Sequence, residues 1–168
     1  VKWLLGEEIT IANSWLVVNG QRTLTPAPAL RNMKKPSDYW TVVGASLIFW
    51  SAVTYPSSYN DGNFYRGNYD NGGVHVNGSV NNHLCFLLTD GDTFNGRTIT
   101  GLGIDLVANL YYECQTYLLT EGADYATLYY ALSQAAVNIE FTPAQRENLE
   151  EACRAVEIRP TAFIKING

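Results

Sequence analysis

Ser79-Val80-Asn81-Asn82-His83-Leu84-Cys85-Phe86-Leu87-Leu88 is the stretch where the periodicity of the chain becomes helical. Val80, Leu84, Leu87 and Leu88 fall on one face, at the three- and four-residue spacing of an amphipathic helix. Downstream the spacing recurs in Leu106, Leu110, Cys114, Tyr117 and Leu118, in Leu128, Leu132, Ala135 and Ile139, and in Leu149, Cys153 and Val156. A start signal stands before the last stripe: in Thr142-Pro143-Ala144-Gln145, Thr142 can cap, Pro143 suits the first helical position and Gln145 can close a capping box. Gly101-Leu102-Gly103 lacks the third glycine and the strand-to-helix setting of a dinucleotide fingerprint, and reads as a tight helix entry. The segments 89–96 and 121–124 are short linkers, so neighbouring helices pack on one another. The expected fold is mainly α, with a small helical bundle over residues 76–158.

Residues 1–75 read differently, rich in Gly, Pro, Asn, Ser and Tyr. Trp15-Leu16-Val17-Val18, the turn Asn19-Gly20 and Gln21-Arg22-Thr23-Leu24 give a hairpin signal. Turn formers accumulate in Tyr59-Asn60-Asp61-Gly62-Asn63 and again in residues 67–73, where loops are expected. This part is expected to be an irregular N-terminal arm containing a β-hairpin, and residues 159–168 an extended tail, all within one structural domain.

The chain has 168 residues, of which 16% are charged, against about 25% in typical domains. With 46% hydrophobic and 12% aromatic residues it can build a core, and disorder is excluded. A net charge of −5 removes the basic footprint that binding nucleic acid or an anionic membrane surface requires. The longest apolar stretch, residues 41–55, is broken by Gly44, Ser46 and Ser51 and falls short of the about 20 residues needed to span a bilayer, so no membrane-spanning segment is expected. The chain opens Val1-Lys2-Trp3-Leu4-Leu5, has Met33 as its only methionine and carries no signal-peptide pattern, as expected of a piece taken from a longer protein.

Soft metal ligands are scarce. Two histidines (His75, His83) and three cysteines (Cys85, Cys114, Cys153), without C-x-x-C or H-x-x-x-H spacing, make a self-contained zinc site unexpected. Asp90-Gly91-Asp92 fails as an EF-hand loop, because Phe94 and Asn95 stand at its fifth and sixth positions. Asn77-Gly78-Ser79 is a glycosylation sequon short enough to arise by chance. No G-x-S-x-G is present, and no cysteine is spaced from a histidine as a thiolate nucleophile would be. The cysteines read as buried structural thiols, or as one pair bridged between adjacent helices. His83, in the first turn after Ser79, reads as a solvated or capping residue.

Asp70-Asn71-Gly72-Gly73-Val74-His75-Val76-Asn77 places a carboxylate and an imidazole five residues apart across a diglycine. The chain can fold back there, so that Asp70 accepts a hydrogen bond from the His75 ring, orienting it, fixing its tautomer and favouring the imidazolium. From the residues alone two readings stand. One is a histidine satisfied in a packed loop, as many such pairs are. The other is an oriented imidazolium suited to donating to a developing oxyanion.

This stretch, with Asn82 and Phe86-Leu87-Leu88, resembles the motif around the catalytic histidine in the thermolysin-like family of secreted zinc metalloproteases. Gly101-Leu102-Gly103 with Asp105, Tyr111-Tyr112 and Thr116 resembles the family's next helix, and residues 152–156 its final one. Trp3-Leu4-Leu5-Gly6-Glu7-Glu8 and Leu30-Arg31-Asn32-Met33 with Pro36 resemble the segments just after its last zinc ligand. The likeness runs to Ile158, with insertions at 9–29 and 37–58. It implies that His75 is the donor or general acid stabilising the tetrahedral intermediate of peptide hydrolysis, that Asp70 orients it, and that Arg31 contacts a substrate carbonyl. It also implies that Leu5 and Leu30 line the pocket for the apolar side chain after the scissile bond.

The family's H-E-x-x-H and its third, glutamate ligand are not in the chain, so the resemblance implies the second half of such an enzyme. Alone it would not hydrolyse peptides. Its expected partners are an N-terminal zinc-bearing domain of the same parent chain and a peptide or protein substrate, with zinc in the full-length parent and secretion as its destination. Toxin, haemolysin or virulence activity is among the roles such secreted enzymes have. Lys2 and Leu4 stand where the family has acidic calcium ligands, leaving Glu7, so calcium is not carried over. Gly78-Ser79 reverses the family's Ser-Gly at a helix start, and Ile104 replaces a basic residue. The competing class is a non-catalytic peptide- or glycan-binding module derived from the same fold, using the many aromatics of residues 39–69.

Overall fold

The computed structural model of the chain describes residues 3–5, 15–19, 21–26, 31–46 and 49–158. The expected tail at 159–168 lies outside them, as do Glu7 and Leu30. The chain divides into two compact units, 1–87 and 88–168.

In the first unit, β1 (Leu4–Leu5) pairs antiparallel with β4 (Arg31–Asn32), setting Leu5 opposite Arg31. The Met33 N–H extends the pairing by donating to the Trp3 carbonyl at 2.9 Å. The expected hairpin is present: β2 (Trp15–Val18) pairs with β3 (Gln21–Pro26), Val18 opposite Gln21, and Asn19 takes the left-handed φ of 50° that such a turn needs. It belongs to a larger sheet of order β3-β2-β5-β6, whose other strands are β5 (Tyr39–Ser46) and β6 (Phe49–Thr54). These strands come from the apolar run at 41–55, rich in β-branched and aromatic residues, which makes strand the favoured state once a partner is available. A short 3-10 turn, Pro36–Asp38, leads into β5.

The helices follow. α1 (Asp70–Asn77) and α2 (Ser79–Asp90) are consecutive, and Val80, Leu84, Leu87 and Leu88 on α2 are fully buried, as their spacing predicts. His83 departs from expectation. It is buried, with Nδ1 donating to the Ser57 carbonyl at 3.0 Å and its ring stacked on Phe86. A carbonyl 26 residues upstream satisfies the imidazole, and that partner cannot be read from helical spacing.

In the second unit, residues 91–100 form a hairpin, β7 (Gly91–Phe94) with β8 (Arg97–Thr100), where the sequence suggests a linker. Asn95 and Gly96 at its tip have φ of 47° and 72°, the left-handed pair that a two-residue turn requires. Leu102 and Gly103 donate to the carbonyls of Leu88 and Thr89 (2.7 and 3.0 Å), making the expected tight entry to α3 (Ile104–Glu113).

α3 runs into a π-helical turn, Cys114–Leu118, closed by the Leu119 N–H on the Cys114 carbonyl at 3.0 Å. The wider turn breaks the 3.6-residue register. Leu110 and Cys114 are buried as expected, but Tyr117 swings out to 66% exposure. α4 (Tyr125–Asn138) buries Leu128, Leu132 and Ala135, and is capped by Asp124, whose carboxylate accepts from the Thr127 N–H. α5 (Pro143–Ala155) opens on the complete capping box of Thr142 and Gln145 and buries Leu149 and Cys153. No helix among the described residues is long and apolar enough to cross a membrane.

Candidate active site

The site is built on the left-handed start of α1. Asp70, Asn71, Gly72 and Gly73 have φ of 55°, 48°, 85° and 80° in succession, after which the helix turns right-handed. A left-handed run of this length is costly for L-residues, on the order of 1–3 kcal/mol for each non-glycine member. Glycine fills half of it, and Asp and Asn are the residues that tolerate the other half best. The turn is closed by the Gly73 N–H donating to the Tyr69 carbonyl at 3.0 Å.

This turn folds Asp70 back over His75. One carboxylate oxygen accepts the His75 backbone N–H at 2.9 Å, and the other lies 2.6 Å from His75 Nδ1. A carboxylate only accepts, so Nδ1 carries the proton. Burial pushes the Asp70 carboxyl up. The ring and backbone N–H of His75, together with the charges of His75 and Arg31, outweigh it and hold the carboxyl below its ordinary range. The Asp70 side chain is 17% exposed, whereas that of His75 is 81% exposed. With Nδ1 committed to Asp70, Nε2 is the nitrogen left to meet an external ligand.

Arg31 joins the cluster from β4. Its Nη2 donates to the His75 carbonyl and its Nη1 to the Tyr55 hydroxyl at 2.5 Å, and its Cζ sits 4.2 Å from the centre of the Tyr55 ring. Asp70, His75 and Arg31 are thus brought together although 44 residues separate Arg31 from His75. Leu5 stands opposite Arg31 in the β1–β4 register. Leu30 is outside the described residues.

Three further participants are not marked as site residues by the sequence: Asn77 lies inside the histidine stretch, Tyr55 and Tyr65 outside it. Tyr55 is buried and braces Arg31. Asn77 is buried at 6% exposure: its Oδ1 accepts from the Tyr65 N–H (2.9 Å), and its Nδ2 donates to the carbonyls of Tyr65 (2.8 Å) and Gly72 (3.0 Å). Tyr65 lies beneath the turn, where a Cβ on Gly73 would come within 2.6 Å of its ring. The available signal is the polar Asn77 amid Val74, Val76 and Val80, a side chain that burial obliges to find partners. The same bonds enclose the amide of the Asn77-Gly78-Ser79 sequon.

Cys114 and Cys153 offer no competing nucleophile. Burial pushes the Cys114 thiol up to about 11 and the Cys153 thiol to about 12, the latter helped by Glu150, so neither supplies a thiolate near neutral pH. Cys114 and Cys153 stand as separate buried thiols rather than as a bridge. Among the described residues no group of three or more His, Cys, Asp or Glu is placed to hold a metal ion, so the donor set described does not fit a zinc centre.

The sequence profile described as thermolysin metallopeptidase, alpha-helical domain, matches residues 1–158. A zinc metalloproteinase of Renibacterium salmoninarum is 36% identical over 156 residues, covering 89% of this chain and 26% of that protein. A thermolysin of Alicyclobacillus acidocaldarius is 32% identical over 108 residues, covering 61% of this chain and 20% of that protein, and neutral protease B of Bacillus subtilis is 33% identical over 97 residues, covering 57% and 18%. The chain therefore spans about a quarter or less of the length of these relatives. A match over nearly the whole chain means that the chain belongs to the thermolysin-like metallopeptidases, as their C-terminal helical domain.

Proposed function

We propose that this chain supplies the histidine side of the catalytic cleft of a secreted zinc metalloendopeptidase. In this reading His75, protonated on both nitrogens, donates from Nε2 to the oxygen that becomes negative as a peptide carbonyl is attacked. Asp70 holds the opposite nitrogen, so the ring needs no reorientation as charge develops. Arg31 donates to a backbone carbonyl of the bound peptide, with Leu5 and Leu30 at the wall of the adjoining apolar pocket. The observation that carries the reading is the 2.6 Å contact of Nδ1 with Asp70 on a ring that is 81% exposed. A histidine satisfied for packing alone, as His83 is, would be buried.

The zinc and the residues that hold it belong, in this proposal, to the preceding part of the full-length protein, which is also the partner of this domain. The test is His75→Ala in that full-length protein. We expect kcat to fall by about 10² to 10³, as when an oxyanion donor is removed, with little change in KM. Unchanged peptide turnover would remove His75 from the mechanism. A zinc content near zero per full-length chain would favour the non-catalytic binding module instead.

A further inference from the structure

We propose that Asn77 is a positioning residue for His75, acting through the left-handed turn and Asp70 and not by touching substrate. The inference rests on the reading of His75 given above for its consequence in turnover, but not for its structural content. Asp70 can reach both the backbone N–H and the ring of His75 only while residues 70–73 keep their positive φ values. Along its own backbone the turn is closed by the Gly73 N–H on the Tyr69 carbonyl, and a bond from a side chain adds a constraint from outside that backbone.

Asn77 supplies that constraint. Its Nδ2 donates to the Gly72 carbonyl, inside the turn, at 3.0 Å. The same amide grips Tyr65 by both backbone groups, at 2.9 and 2.8 Å, as a neighbouring strand would. Tyr65 is thereby fixed as a floor, and its ring lies so close to Gly73 that a Cβ there would meet Cδ1 at 2.6 Å. The turn is thus held from one side by a hydrogen bond and from the other by an aromatic surface, and a single buried amide organises both. No other side-chain type fits: two donations and one acceptance are needed at once, which Asp and Leu cannot provide and Gln would deliver one methylene too far.

The readout is the tautomer of His75, seen in the long-range 1H–15N spectrum of the ring at alkaline pH, where neutral imidazole prefers its proton on Nε2 unless a bond to Nδ1 overrides that. The chain as it stands should show Nδ1–H. In Asn77→Ala we expect the Nδ1–H population to collapse towards an Nε2–H mixture while the signals of α4 and α5 stay in place. Should the alanine variant fail to fold, Asn77→Asp keeps the acceptor for the Tyr65 N–H and removes both donations, and the same shift is expected. Tyr65→Phe, which leaves the backbone grip and the ring intact, should leave the tautomer unchanged.

In the full-length peptidase, Asn77→Ala should lower kcat by about tenfold or more with KM nearly constant, as expected for a misplaced catalytic group. A His75 that stays Nδ1–H in Asn77→Ala or Asn77→Asp overturns the positioning role, even if His75→Ala abolishes turnover. A lost tautomer with turnover indifferent to His75 overturns only the catalytic reading.

Discussion

Asp70 carries out with one carboxylate what usually takes two residues: it orients the His75 ring and tethers the start of the helix that bears it. The glycines around it divide the labour. Gly72 and Gly73 share nearly the same φ, yet a Cβ on Gly72 would meet nothing within 4 Å whereas one on Gly73 would collide with Tyr65. The two alanine substitutions therefore separate strain from collision. Gly72→Ala should lower stability by about 1 kcal/mol, the left-handed penalty alone. Gly73→Ala should cost at least about 2 kcal/mol, because the Tyr65 ring or the turn must also move. Urea unfolding of the two variants side by side checks this, and equal losses would mean that Tyr65 is not the floor of the turn. At this scale the sequence is informative about residue type and silent about partners. The Asp-Asn-Gly-Gly-Val-His spacing shows that Asp70 and His75 can meet, because both lie in one short turn. Nothing local shows that Arg31 reaches the His75 carbonyl from 44 residues away, or that Ser57 draws His83 into the interior.

Helices in this chain are written locally and fastened non-locally. Thr142 and Gln145 cap α5 through bonds made within one turn, so the four residues 142–145 suffice to reveal them. The β7–β8 hairpin is fastened along α5 by contacts between residues at least 48 positions apart. Asn148 on α5 accepts from the Thr100 N–H and donates to the Thr100 carbonyl, both at 2.8 Å, as a pairing strand would. At the tip Asn95 donates to the Ala155 carbonyl at 2.8 Å, satisfying one of the last carbonyls of α5, and Arg97 pairs with Glu151. Asn148→Ala leaves both backbone groups of Thr100 without this partner and should cost about 1–3 kcal/mol, at least as much as the about 1 kcal/mol of Thr142→Ala. Comparison of urea midpoints for the two variants decides. A negligible loss for Asn148→Ala would mean that water replaces the amide without cost.

For the molecule as a whole, the depressed carboxyls predict its behaviour in acid. Asp70 is held low by His75 and Arg31 against the opposing effect of burial, Asp124 by the N–H and hydroxyl of Thr127, and Glu151 by Arg97 and Arg154. A carboxyl lowered in the folded state binds protons more readily when unfolded. Its contribution is complete above the ordinary carboxylate range near about 4 and is lost as the pH falls through the depressed folded values. Stability should therefore be level with respect to these groups from pH 7 to about 5 and decline steadily below about 4. Urea midpoints measured down that range test it, and Asp70→Asn should flatten part of the decline. Midpoints that rise on acidification would contradict the assignment.

What the sequence determined by itself is what depends on neighbours a few residues away. The four helical stripes, the capping box at Thr142, the hairpin turn at Asn19 and the ability of Asp70 to fold back onto His75 all follow from spacing and from residues that favour one local backbone. Tertiary structure decided the rest. Arg31, braced by Tyr55, reaches His75, Asn77 seats Tyr65 beneath the turn, the π turn rotates Tyr117 outward, and residues 91–100 become a hairpin fastened to α5. Buried polar groups must find partners wherever the fold supplies them, and a partner tens of residues away leaves no trace in the periodicity of either segment.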